Sequence, residues 1–377
     1  MGLPMDIFNF VDNIKKHTTE INKEDLAVIV EECKHGHFLH VLSKTKTFRE
    51  NHTLNDELAK LLLLLDATCL SQVGEGKKAA DIIERIYQDS NGKLVDDLIL
   101  YGNLAFMCDY KLTRKIMSDA VKRINHDPIK AAHAYFILGE AEEHLGKFIR
   151  AIKYYKRGLG YLEKAEERDD ATILYLHFKL GALHSIIHET DQAIEFLQKA
   201  IELADDTNQE IKINSLVSIA KMYGSKRDYE KAFTYLKEAI PMLEGSTLEN
   251  KLVHAEAYTE MAYNYFDQSK FDEAAPYYEK AITIQQNLPY RTASRELGMI
   301  YMQYAYSMEH REKPEKLLAG INYERAIEQL EKANDYELLT SALGDTIAFF
   351  KKIGNKKKVR FYENKFVKVT NEKKHSF

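Results

Sequence analysis

A small residue recurs on one apolar stretch after another at a spacing of about forty, and nothing else in the chain restricts its fold so strongly. The clearest instance runs Tyr135, Leu138, Gly139, then Gly146 and Phe148, then Ala151, Tyr155 and Gly158. The same frame returns as Leu180, Gly181, Ala193, Leu197 and Ala200. It returns again as Ile219, Ala220, Tyr223, Tyr229, Ala232, Leu236 and Ala239, and as Met261, Ala262, Tyr265, Phe271, Ala274, Tyr278 and Ala281. The small residues 139, 181, 220 and 262 stand 42, 39 and 42 positions apart. A period of that size belongs to an array in which each unit touches only its neighbours. Within each unit the apolar spacing is helical. Gly139 on the first helix admits the second helix closely, Ala151 and Gly158 return the small face, and Tyr155 fills the space between them.

The frame weakens towards both ends. Upstream, Ala67, Gly74, Ala79 and Ile83 make one pair, Tyr101, Ala105 and Met117 a weaker one, and residues 25–50 hold a further candidate. Downstream, Tyr301 and Ala305 are followed by Ala326, Leu330 and Ala333 after an insertion around His310–Pro314, and a last pair turns at Gly354 before Val359 and Phe366. The expected fold is therefore all-α, a right-handed superhelical solenoid of roughly eight or nine helix pairs. Residues 1–54 are expected to form N-terminal helices acting as a degenerate repeat or cap, and residues 55–377 the array, strongest at 130–285. Only 6 Pro and 17 Gly in 377 residues, with Ala, Leu, Glu and Lys throughout, agree with helices, and no segment demands a sheet.

These residues resemble the tetratricopeptide pattern of bulky residue, Leu and small on a first helix, a Gly-aromatic turn, then Ala, aromatic and small on a second. The resemblance covers about residues 55–370. It implies a scaffold whose first helices line a concave groove that holds a peptide or protein segment. Length, period and the stretch Ala131-Ala-His-Ala-Tyr-Phe136 look like those of cytoplasmic receptors for short signalling peptides, the group containing Rap proteins and arbitrium receptors. That likeness implies a non-catalytic, quorum-sensing type of signalling regulator that controls a protein partner.

Counted outwards from each small residue, the groove side should carry His133, Phe136 and Glu140; Tyr175 and Phe178; Asn214 and Lys221; Thr259 and Tyr263; and Met302 and Tyr306. Aromatic faces mixed with a few amide, hydroxyl and charged groups suit an extended peptide, whose backbone needs partners and whose side chains need apolar pockets. The Lys/Asn carboxylate clamp of chaperone-binding relatives is absent from the corresponding positions Phe136, Glu140, Phe178, Ala182, Val217, Lys221, Thr259 and Tyr263.

Other chemistries find less support. With 53 basic against 58 acidic side chains the formal charge is −5, so no global field draws the chain to nucleic acid. Residues 5–50 show lysines but no tight-turn reading helix, which leaves DNA a minority alternative. Likewise residues 1–60 hold no match to the glutamine constellation that the resemblance to Rap proteins would bring to a response regulator. Cys33, Cys69 and Cys108 are odd in number and far apart, so a reducing, cytoplasmic setting is expected and no disulfide framework. The longest apolar run, Leu61–Leu65, is far too short for a bilayer. Cys33, His35, His37 and His40 offer metal-binding atoms, but ligands so close along a helical hairpin rarely converge on one ion, and neither metal nor cofactor is expected. With no phosphate-cradling loop, nucleophile elbow or metalloprotease helix, the chain is not expected to be an enzyme. A constitutive assembly scaffold, and a phosphotransfer or transcription regulator working through its N-terminal helices, are the alternatives; a homodimer is left open.

Overall fold

Four of the first helices begin where the sequence supplies a capping oxygen. Asn55 accepts from the backbone N–H of Leu58 (2.8 Å), Asp127 from Lys130 (2.9 Å), Asp169 from Thr172 (3.0 Å) and Asp335 from Leu338 (3.1 Å). Each cap satisfies an amide with no intrahelical partner and stabilises its helix by about 1 kcal/mol. The computed structural model describes residues 10–17, 19, 22–89, 94–124, 127–166, 169–245, 251–288 and 294–375. Its α-helices are α1 Val11–Ile14, α2 Lys23–Lys34, α3 Phe38–Asn51, α4 Asp56–Gln72, α5 Gly76–Asp89, α6 Val95–Phe106, α7 Tyr110–Arg123, α8 Pro128–His144, α9 Phe148–Leu162, α10 Asp170–Ile186, α11 Thr190–Leu203, α12 Gln209–Ser225, α13 Tyr229–Gly245, α14 Lys251–Asp267, α15 Phe271–Gln286, α16 Ser294–His310, α17 Lys316–Ala333, α18 Tyr336–Lys352 and α19 Lys356–His375. From α2 onwards they form nine consecutive hairpins among the described residues.

The turn inside most hairpins is one backbone device repeated. Gly36, Gly74, Gly146, His188, Arg227, Ser269 and Gly354 all take positive φ, between 58° and 84°. At each, the next residue's N–H reaches back to the fifth carbonyl before it: Lys147 to Glu142 (2.8 Å), Glu189 to His184 (2.9 Å), Asp228 to Tyr223 (2.9 Å), Lys270 to Tyr265 (2.9 Å). This left-handed cap satisfies helix-end carbonyls and reverses the chain within four residues. Glycine adopts it without strain; His188, Arg227 and Ser269 hold it against their own side chains.

The chain divides into two compact units, residues 1–199 and 200–377. The boundary expected at 54/55 lies inside the first unit, in the connection between α3 and α4. In that unit α2 and α4 bring the buried thiols of Cys33 and Cys69 into hydrogen-bonding contact, both free of disulfide. Its best-formed repeat, α8–α9, buries Tyr155 completely under Gly139. In the second unit one apolar cluster joins α12, α13 and α14 through Ile213, Leu216, Leu236 and Tyr258, and another runs on to α19 through Tyr278, Tyr301, Tyr323 and Phe349.

One expectation about the frame is corrected here. The second helix of the α16–α17 hairpin presents Ala319, Tyr323 and Ala326 where Ala326, Leu330 and Ala333 were expected. Ala319 and Tyr323 are buried to the same degree as Ala151 and Tyr155, and the Tyr323 hydroxyl donates to Glu309 (3.0 Å) as Tyr155 does to its own first helix. From Ala305 to Ala319 is 14 positions against 12 from Gly139 to Ala151, so the insertion is two residues. They form a turn pinned by Arg311 and the Glu312 N–H on Asp272 (3.0 and 2.8 Å).

Candidate functional site

In unit 1 the first-helix wall is closed by its own ion pairs. Lys179 on α10 sits 2.8 Å from Glu140 and 2.8 Å from Glu143 on α8. The Tyr155 hydroxyl completes the group, 2.8 Å from Glu140 and 2.9 Å from Glu143. Burial works against the Lys179 charge, but Glu140 and Glu143 more than offset it and its pKa stands above the ordinary lysine value. Burial and the two carboxylates push the Tyr155 hydroxyl far above its usual range, so it stays protonated and donates. Of the residues expected on the groove, Glu140 is thus consumed internally. Phe136 is corrected: it is 3 % exposed and packs between the Tyr155 and Tyr175 rings. Tyr175 and Phe178 remain half-buried beside it, and His133 is within 3.3 Å of Asn103, its pKa lowered by burial.

Two buried histidines on α10 face inward rather than onto the wall. His184 stacks on Phe196 and His177 meets the same ring at a tilt, and the ring nitrogens His177 Nδ1 and His184 Nε2 lack hydrogen-bond partners. Burial, with Lys199 nearby, holds His177 down to about 4. The neutral ring is therefore favoured by folding, a contribution complete above about pH 6.5 and lost as pH falls towards 4. His177→Leu should flatten the fall in unfolding free energy over that window, by on the order of 2 kcal/mol at its acid end, as read by chemical denaturation at each pH. An unchanged acid limb would show that this ring is not desolvated.

Unit 2 presents an open wall instead. Lys221, Gly224 and Ser225 from α12, Glu260, Tyr263 and Asp267 from α14, and Gln303 from α16 surround a pocket of about 250 Å³, floored by Ala220 and Ala232. Lys221 and Tyr263 were expected there. Glu260, Asp267 and Gln303 were not; they lie two before or five after the small residue of their helix, one turn to either side of the positions counted. Burial raises the Glu260 carboxyl to about 7, Lys221 opposing the shift and Glu256 and Asp267 adding to it. Tyr263 is raised by burial too, and its ring meets Tyr278 edge-on. Thr259 is corrected: it is 7 % exposed, with its hydroxyl on the Ala255 carbonyl (2.7 Å). Asn214 lies further along α12, where its amide donates to the Glu210 carbonyl (2.9 Å). Met302 is half-buried, and Tyr306 is exposed, stacked on His310 with ring centroids 3.9 Å apart and flanked by Phe266 and Phe271.

Near the N-terminus, His37 and His40 approach Glu32 (3.0 and 3.4 Å) while Cys33 is buried away from them. Among the described residues no group of three His, Cys, Asp or Glu could hold a metal ion, and no helix is long and apolar enough to cross a membrane.

Tetratricopeptide-repeat family models match residues 132–164, 169–245 and 211–287, the hairpins from α8 to α15 that carry the first wall and the α12 and α14 part of the second. Those residues carry tetratricopeptide repeats. Among curated proteins it is 25% identical over 231 residues to response regulator aspartate phosphatase E of Bacillus subtilis (strain 168), covering 55% of this chain and 60% of that one. It is 21% identical over 206 residues to the transcriptional activator NprA of Geobacillus stearothermophilus, covering 48% and 50%. The chain thus spans half to three fifths of the length of these relatives. Among solved structures, the apo form of RapI superposes over 94% of this chain and 99% of its own with a TM-score of 0.61 at 14% identity, a likeness of fold.

Proposed function

We propose that this chain is a non-catalytic regulator that takes a short peptide on the first-helix wall of α12, α14 and α16 and controls a protein partner in response. The observation that carries this reading is the difference between the two walls. In unit 1 the polar groups are paired with one another, whereas in unit 2 Glu260 and Asp267 line a pocket without a hydrogen bond or ion pair, beside the aromatic face of Tyr263, and Tyr306 adds an exposed ring further along α16. Unpaired polar groups beside apolar faces are what an extended peptide requires. The relatives support a regulatory role, one named for a response-regulator phosphatase and one for a transcriptional activator. A phosphatase-like action of this chain's own N-terminal helices is less favoured, since residues 1–60 contain no glutamine.

The test is selection of a randomised short-peptide library on the full chain. Enriched peptides should bind the parent and lose about tenfold or more in affinity to Tyr263→Ala and to Tyr306→Ala, as central aromatic contacts do. Tyr306 is 39 % exposed but packs on His310, Phe266 and Phe271, so the melting temperature of its variant is measured beside the affinity to separate lost binding from lost packing. No enrichment, or binding indifferent to both changes, would sink the proposal.

A further inference from the structure

Cys33 and Cys69 occupy matching places on successive first helices. Cys33 stands three residues before Gly36 and Cys69 five before Gly74, the glycines whose positive φ turns each hairpin back. Because α2 and α4 run in the same sense towards those turns, the two positions differ in height by two helical rises, about 3 Å. Main-chain bonds carry both turns on from the cysteines themselves: the Gly36 N–H donates to the Cys33 carbonyl (3.0 Å) and the Val73 N–H to the Cys69 carbonyl (3.1 Å). Gly36 and Val73 in turn line one open cavity of about 310 Å³, together with His37, Phe38, Leu39 and His40. The main chain therefore brings the two turns together independently of the contact between the sulfurs, and leaves a cleft between them one hydrogen bond away from each cysteine.

The two sulfurs are unequal. Cys69 is completely buried, whereas Cys33, in the last turn of α2, is 4 % exposed. The Cys33 thiol, burial and Asp66 one turn earlier on α4 push the Cys69 thiol far above its usual range, so it stays protonated. Asp66 is fixed in that place by the Thr45 hydroxyl (2.5 Å) and the Arg49 guanidinium (2.6 Å) of α3. An oxidant entering between the turns thus meets Cys33 first, with Cys69 in contact behind it.

We propose that Cys33 and Cys69 are a reversible oxidation site for small hydroperoxides, closing to a disulfide that ties α2 to α4. The Cys33 sulfur gives its proton to solvent and attacks the peroxide, whose O–O bond breaks to leave a sulfenic acid and one water. The Cys69 sulfur then attacks that sulfur, its proton leaves with the displaced hydroxyl as a second water, and the S–S bond forms. Two thiols lose two electrons and one peroxide gains them. Cys108, half-buried with its thiol on the Ala105 carbonyl (3.4 Å), supplies the comparison within the same chain. Closure fastens the α2–α3 hairpin to α4, so the local stability of that hairpin follows the peroxide level. The site is in unit 1 and stands independently of the peptide reading of unit 2.

The experiment treats the reduced full chain with dilute hydrogen peroxide and maps its thiols after digestion without reductant. A fragment linking Cys33 to Cys69 should appear, vanish again with dithiothreitol, and persist in Cys108→Ser. Amide hydrogen exchange in α2 and α3 should slow by about tenfold or more in the oxidised chain and stay level in unit 2. Cys33→Ser and Cys69→Ser should each abolish the linkage, and the map of the parent identifies the pair even where such a variant folds poorly. Cys33 and Cys69 still reduced when Cys108 has been oxidised overturns the site. So does either cysteine carried past the sulfenic stage without a linkage. A linkage that leaves exchange in α2 and α3 unchanged overturns its hold on the hairpin.

Discussion

Gly139→Leu is expected to destabilise unit 1 by about 3 kcal/mol or more, at the upper end of what overpacking costs. Even a methyl group at that Cα would lie 2.5 Å from Tyr155 Cε1 and 2.6 Å from Cδ1, far inside contact distance. The ring has nowhere to retreat. Tyr155 is fully buried and its hydroxyl is tethered to Glu140 and Glu143, so relief requires α8 and α9 to separate. Gly160, two turns along α9 from Ala151 and with nothing within 4 Å of its Cβ direction, supplies the control. Gly160→Leu should leave stability level or raise it by about 0.5 kcal/mol, because leucine is the better helix former. Chemical denaturation of the two variants decides the matter, and similar midpoints would show that the close approach of α8 and α9 is wrong.

Lys179→Met should cost as much by a different route. The substitution keeps the volume and removes the only cation from a group in which Glu140 and Lys179 are 13 % and 14 % exposed. Two carboxylates would then share one hydroxyl in a largely dry site, and breaking a buried pair from one side typically costs about 3–5 kcal/mol. The loss should be partly recovered at low pH, where the stranded carboxylates protonate, and in the double variant Lys179→Met, Glu140→Leu, which removes one stranded charge. Denaturation of the single variant at neutral pH within about 1 kcal/mol of the parent would mean the pair is solvated and contributes as a surface pair does.

The fold was legible because its constraint is steric and local. Gly139, Gly181, Ala220 and Ala262 must be small for their hairpins to close, and that requirement is written in the residues themselves. The α16–α17 hairpin shows where such a signal is ambiguous. Small, bulky and small at intervals of four and three map onto themselves when moved by seven, so Ala319-Tyr323-Ala326 and Ala326-Leu330-Ala333 satisfy the rule equally. Ala326 and Leu330 are buried as fully as Ala319 and Tyr323, so the Tyr323–Glu309 hydrogen bond, the counterpart of that made by Tyr155, chooses between them. At His188, Arg227 and Ser269 the left-handed turn carries no glycine, and the flanking helices impose a conformation that the residue would not choose.

The candidate site was legible in part for a related reason. Lys221 and Tyr263 follow from counting along one helix, but Glu260 and Asp267 look like ordinary solvated charges until three helices from successive repeats surround them. Phe136 failed as a wall residue because the Tyr175 ring of the neighbouring hairpin covers it, and coverage by a neighbour is not encoded in either helix alone; Thr259 is buried with its hydroxyl turned back onto the Ala255 carbonyl of its own helix.

The repeated turn has a bearing on how such a chain can change over generations. Because the joint between paired helices is made by main-chain atoms in the same pattern at seven places, it tolerates glycine, histidine, arginine or serine at its pivot without altering the reversal. Joinery and reading surface are therefore inherited separately: hairpins exchanged or duplicated with their breaks in the connections between hairpins would carry their stretch of wall intact, and new ligand preferences can arise by shuffling whole hairpins rather than by accumulating substitutions within one.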